Sequence, residues 1–175
     1  IYINTNLAAA AGVVVALIAT QVMYKKVDLT MALNGALGGL VAVTAEPLAP
    51  SPAIAIFVGA VGGLLVVLTV PLLDKLKIDD VVGAIPVHLI AGIWGTIAVI
   101  FSNGDASIAT QIIGIVAIGA FVVVTTGIVW TVLKMSIGIR VTEEEEVAGL
   151  DQKEIGMEAY LSLIHISEPT RPLYI

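Results

Sequence analysis

Residues 79–96 read DDVVGAIPVHLIAGIWGT, and the histidine near its centre decides how the rest of the chain is understood. From Val81 to Phe101 the residues are apolar or small, and His88 is the only ionisable side chain among them. An ionisable group in the middle of a membrane span costs about 2.5–3.5 kcal/mol on insertion scales, which makes it a functional candidate by default. Regular helical spacing puts Ala84, His88, Gly92 and Gly95 on one face, so the imidazole has small neighbours and room beside it. A neutral imidazole offers one donor nitrogen and one acceptor. A narrow dry pore that passes a small polar molecule or relays a proton needs both functions. A structural histidine hydrogen-bonded to a neighbouring helix fits the same residues. Metal binding does not, because the chain has no cysteine and its predicted spans hold no second histidine or carboxylate. One of Asp79 and Asp80, just before the helix, is expected to cap it and to favour its positive end.

The surroundings of this stretch predict an all-α integral membrane protein. Of 175 residues, 58% are hydrophobic and 13% charged, with a mean hydropathy of +1.05; soluble domains carry about 25% charged residues. A bilayer's hydrocarbon layer needs roughly 20 mostly apolar residues in helical form. Apolar runs and the punctuation between them predict membrane helices over residues 7–24, 29–44, 53–73, 81–101 and 108–135. Asp28 is the expected N-cap of the second, and Pro47, Pro50 and Pro52 mark the linker into the third. The last run is long enough to require tilt.

Loop charge gives an orientation. Lys25 and Lys26 lie in the first connection, Lys75 and Lys77 in the third, and Lys134 and Arg140 near the end of the last span. Residues 45–52 and 102–107 contain no Lys or Arg. The basic loops and the C-terminal side are therefore expected in the cytoplasm, with residue 1 outside. Gly35 and Gly39, and Gly59 and Gly63, are four apart and make small-residue faces through which helix backbones can approach closely.

The formal charge is −6, but half of the acidic residues (Glu143, Glu144, Glu145, Glu146, Asp151, Glu154 and Glu158) follow the last apolar run. This is an acidic tail over residues 138–160 rather than an acidic surface, and it argues against nucleic-acid binding. The tail is either a regulatory segment or a solvated acidic run. No nucleophile–base pair or metal constellation supports an enzyme, and no cofactor is implied. Without an initiator methionine or a cleavable leader, the chain reads as a fragment of a larger protein.

The residues quoted so far resemble one family. Asp79 to Thr96 resembles the tenth helix of ammonium transporters of the Amt/Mep/Rh family. Leu33-Asn34-Gly35-Ala36-Leu37-Gly38-Gly39-Leu40-Val41 resembles the eighth helix. Gly138-Ile139-Arg140-Val141, the acidic run and Gly149-Leu150-Asp151 resemble the cytoplasmic tail. The resemblance covers residues 1–160 in order and with matching spacing. It implies an eleven-helix fold with an outer N-terminus and a cytoplasmic C-terminus, of which this chain supplies helices seven to eleven. It also implies a hydrophobic pore in the cell membrane lined by two touching histidines. His88 matches the second of these, while the first belongs to helix five.

The resemblance further implies that Asp80, Asn34 and Gly92 serve structural roles near that pore. Ammonium would be collected at an outer mouth, lose its hydration and pass the histidine pair as ammonia, with methylammonium as a possible further substrate. Family members assemble as homotrimers with one pore per subunit, and a PII signalling protein can block the cytoplasmic mouth. Where the family commonly has a histidine and a glutamate in the tail, this chain has Ile155 and Met157. Trp94, Phe101 and Trp130 are explained by packing or interface anchoring and are not assigned to an outer gate. Two other readings are a different secondary transporter with a lone intramembrane histidine, and an ammonium-sensing membrane protein of the same fold.

Residues 161–175 resemble nothing in that family. Leu161 to Arg171, LSLIHISEPTR, resembles the in-frame translation of a transposase sequencing adapter. His165 in this segment is therefore not a site.

Overall fold

A computed structural model describes residues 1–157, and no strand occurs among them. Residues 158–175, including Glu158, His165 and the adapter-like segment, lie outside the described residues. The chain divides into two units, Ile1–Val122 and the part from Val123 onward.

The first unit is built on α1 (Tyr2–Tyr24), α2 (Leu29–Val43) and α3 (Pro52–Lys75). Helix α1 starts five residues earlier than its apolar run because its polar residues find partners. Thr5 and Asn6 donate to the carbonyls of Ile1 and Tyr2 at 3.1 and 2.9 Å. Asn4 Nδ2 reaches the carbonyls of Pro47 and Ala49 at 3.3 and 3.0 Å. Asp28 caps α2 as expected, accepting from Met31 N–H at 2.8 Å. Ser51 caps α3, with Pro52 in its first turn; proline is tolerated there because that N–H has no helical partner.

These helices pack backbone to backbone. A Cβ added at Gly39 or at Gly59 would overlap the Ala8 carbonyl oxygen, and one at Gly63 would overlap that of Gly12. A Cβ at Gly62 would stand 2.6 Å from the Gly38 oxygen. Gly35–Gly39 and Gly59–Gly63 thus form the close-approach faces their spacing predicts. The pairings also give direction: α1 runs antiparallel to α2 and parallel to α3. Apolar side chains attract no more strongly to each other than to lipid tails, so small residues that allow close approach carry the association.

The fourth helical segment departs from the expected start at Val81. Val81 and Val82 form a turn, Gly83 has φ +79°, and helix begins at Ala84. A π-turn, Ile85–Ile90, leads into α4 (Ala91–Ala98), which ends in a 3₁₀ turn, Val99–Phe101. Helix α5 (Ile108–Ser136) follows the predicted last run, and none of its residues is buried. Among the described residues, α1, α3 and α5 are long and apolar enough to cross a membrane, while Leu29–Val43 and Ile85–Phe101 are shorter apolar helices. At 1.5 Å per residue, the 15 residues of α2 span roughly 22 Å, short of a hydrocarbon layer of about 30 Å.

The second unit holds the end of α5, α6 (Glu143–Ala148) and a π-turn, Asp151–Ile155. Helix α6 opens with a capping box. Thr142 Oγ1 accepts from Glu145 N–H at 3.3 Å, and the Glu145 carboxylate accepts from Thr142 N–H at 3.1 Å. The Thr142 backbone N–H, and after it the Thr142 hydroxyl, stabilise the ionised Glu145 carboxyl and hold it below the usual carboxylate range. Lys153 Nζ lies 3.8 Å from Glu145 Oε1.

Candidate functional site

The segment carrying His88 is anchored at its base. Asp80 is the cap that the paired aspartates predicted: its two carboxylate oxygens accept from Ala84 and Ile85 N–H, each at 2.8 Å. Asp79 is exposed. From α2, the buried Asn34 donates through Nδ2 to the Val82 carbonyl at 3.0 Å. Gly83 sits directly against this amide, and a Cβ there would lie 2.7 Å from Asn34 Nδ2. Asn34 and Asp80 therefore meet at one place, the entry to the His88 helix.

Above this base, Pro86, Val87, Ala91, Gly95 and Ala98 are buried, while Ala84 and His88 are exposed and Gly92 is half-buried. This corrects the single face expected for Ala84, His88, Gly92 and Gly95. Gly95 belongs to the packed side, where a Cβ would overlap the Ala42 carbonyl oxygen. The reason is the π-turn, in which Ala91 N–H bonds the Pro86 carbonyl five residues back and breaks the regular spacing. His88 and Gly92 stay on the open side. A Cβ at Gly92 would meet Val41 Cγ1 at an ordinary 3.7 Å.

Trp94 is a packing residue. Its Nε1 donates to the Val58 carbonyl at 2.9 Å, and its ring lies 5.9 Å from that of Phe57 and 6.2 Å from that of Phe101. Trp130 is exposed. Sequence reasoning missed Gly83 and the Asn4 tie. A glycine between two aspartates and a proline is a turn signal, and it would have moved the helix start past Val82.

Among the described residues, no group of three or more His, Cys, Asp or Glu side chains could hold a metal ion. The site as it stands is one imidazole on the open side of an apolar helix, with polar groups at the helix entry. It can offer a hydrogen bond and exchange a proton.

Fold and site together define a polytopic α-helical membrane protein. Residues 1–160 match the model of the Ammonium Transporter Family, and the chain belongs to that family. It is 37% identical to ammonium transporter Amt2 of Archaeoglobus fulgidus, over 92% of this chain and 39% of that protein. It is 35% identical to an ammonium transporter of Bacillus subtilis, over 91% of this chain and 43% of that protein. A solved structure described as a Sensor Amt Protein superimposes with a TM-score of 0.81 at 30% identity, covering 87% of this chain and 40% of that one. The chain thus spans about two fifths of the length of these relatives.

Proposed function

We propose that this chain forms part of a protein that conducts ammonium, as ammonia, across the cell membrane, with His88 as one of two histidines lining a hydrophobic pore. The observation that carries this reading is a family match along residues 1–160 whose one intramembrane ionisable residue stands on the open side of its helix. A small-residue flank at Gly92 leaves space there for a solute or for the partner histidine that the family resemblance implies.

The finer parts of the reading have separate support. Five spans with residue 1 outside and residues 138–160 in the cytoplasm follow from the alternation of basic and non-basic loops. The helix directions agree, since α2 runs antiparallel to α1 and α3 and parallel to the His88 helix. Asn34 and Asp80 serve as structural supports of the pore helix. A homotrimer, methylammonium as a second substrate and a PII protein at the cytoplasmic face rest on the family resemblance. The family match stops at residue 160, which supports reading 161–175 as adapter-derived.

The test is His88→Ala in a full-length gene carrying this segment. Methylammonium uptake should be lost or change its selectivity while the protein still inserts. Unchanged uptake and selectivity per inserted molecule would remove His88 from the pore. The likeness to a Sensor Amt Protein favours one second reading, an ammonium sensor of the same fold. Such a protein would bind ammonium with saturable affinity and show no uptake in the same assay.

A further inference from the structure

The π-turn around His88 has an identifiable cause and a directional consequence. In an α-helix each residue turns by about 100°. Counted back from the buried Ala91, a continuous α-helix would place Ala84 within about 20° of Ala91 and His88 roughly 60° away. Ala84 would then be buried and His88 would flank the packed side. Instead Ala84 and His88 are both exposed, and the adjacent Pro86 and Val87 are both buried. A π-turn advances about 80° per residue, its hydrogen bonds running five residues back instead of four. That smaller step brings Pro86 and Val87 to either side of the packed direction and carries His88 roughly 60° further from it, to within about 20° of the direction of Gly92.

Three residues make this geometry, and each answers a backbone requirement. Val82 precedes the helix, which begins at Ala84, and Pro86 has no N–H to offer it, so the Val82 carbonyl has no partner within its own segment. Asn34 supplies one at 3.0 Å from the neighbouring helix. Gly83, at φ +79°, turns the chain so that Val82 faces Asn34, and its missing side chain is the space the amide occupies. Carbonyls turned away from solvent need partners, and for this part-buried bond the partner comes from α2, which fixes the His88 segment in rotation as well as in height.

We propose that Asn34, acting with Gly83 and Pro86, is a positioning residue that holds the π-turn and thereby sets the direction of the His88 imidazole. Asn34 touches no substrate and works through the Val82 carbonyl. The inference rests on the reading of His88 as a pore residue.

The experiment uses the full-length protein with radiolabelled methylammonium as the probe, and separates kcat from KM per inserted molecule. Asn34→Asp keeps the size of the side chain but removes its donor. Pro86→Ala removes the proline ring from the first turn and lets the segment relax to an α-helix. A misplacement of about 1 Å can cost on the order of 100-fold in rate, so each variant should lose about tenfold or more in kcat with KM within about twofold of wild type. Pro86→Ala separates positioning from mere support. Alanine is the better helix former, so a supporting role predicts equal or greater amounts of protein and an unchanged rate.

A kcat for Pro86→Ala within about twofold of wild type would overturn the proposal, as would losses that only track the amount of inserted protein. If Asn34→Asp fails to insert, Pro86→Ala decides alone. An inactive wild type overturns the transport reading and this inference with it. An active wild type with unaffected variants overturns this inference only.

Discussion

Gly12→Ala tests the backbone packing that holds the first unit together. Gly12 is where three helices meet: its added Cβ would overlap the Gly35 carbonyl oxygen and lie 3.1 Å from Gly35 C and 3.3 Å from Gly39 Cα. The Gly12 backbone is also what fills the space beside Gly63 on α3. The three atoms nearest the new methyl are all backbone, so no rotamer change can relieve it. Overpacking of this kind costs about 1–3 kcal/mol, and a clash with a backbone oxygen flanked by two tight backbone contacts belongs in the upper half of that range. Alanine returns about 1 kcal/mol through helix propensity. The net is a destabilisation of about 1–2 kcal/mol, or about a 5- to 30-fold fall in the folded-to-unfolded ratio. Gly92→Ala is the control, since its methyl meets only Val41 Cγ1 at 3.7 Å; it should be neutral or stabilising by up to about 1 kcal/mol. Denaturing-detergent titration of the purified full-length variants, followed by circular dichroism, reads both. If Gly12→Ala unfolds at the same detergent fraction as Gly92→Ala or later, close backbone contact is not what holds α1, α2 and α3 together.

Asp80→Ala removes acceptors from Ala84 and Ile85 N–H and should cost about 0.5–2 kcal/mol in the same titration, as loss of a helix cap does. Trp94→Phe keeps a ring against Phe57 and Phe101 but leaves the Val58 carbonyl without its 2.9 Å donor; a loss of about 1 kcal/mol is expected, and no loss would show that the bond contributes nothing. The tail has a pH dependence of known sign. Because the folded Glu145 carboxyl is held low by its bonds to Thr142, its contribution is complete above the ordinary glutamate value and disappears as pH falls through the lowered one. Amide hydrogen exchange across residues 143–149, corrected for intrinsic rates, should lose protection in acid. Glu145→Ala should flatten that profile, and a profile unchanged by the substitution would mean the capping box does not hold α6.

Much of this arrangement is legible in the sequence because membrane helices obey few rules. The glycine pairs at 35 and 39 and at 59 and 63 sit at the close contacts their spacing predicts, and Asp28 and Asp80 cap the helices they precede. What could not be read is whatever depends on a partner distant in the chain. Helix α1 begins at Tyr2 because Asn4 bonds carbonyls 43 and 45 residues away, and a hydropathy pattern carries no trace of that. Gly95 leaves the face expected for Ala84, His88 and Gly92 for the same reason. Regular spacing assumes 100° per residue, and the departure from it is stabilised by Asn34, 48 residues before the carbonyl it holds. Gly83 and Pro86 stood in the sequence as turn signals inside an apolar run, and their joint effect is legible only beside α2.

These departures are informative because of how the rest of the unit is packed. Where helices meet through glycine and alanine, few side chains are present to wedge a neighbouring helix into one rotation. A helix on such a surface is held in height by close contacts such as Gly95 against Ala42, but its rotation needs a further constraint. The chain meets that need with directional bonds at the helix entry: two carboxylate caps from Asp80 and one amide strut from Asn34. Residues that a simple reading counts against a membrane helix (an asparagine in α2, a glycine at positive φ, a proline two residues before the histidine) are the ones that fix where the histidine points. A polar group is costly to insert in lipid, so a protein that keeps one on an open face needs its direction fixed. In this fold that direction is set at the Val82 carbonyl, six residues before the imidazole it aims.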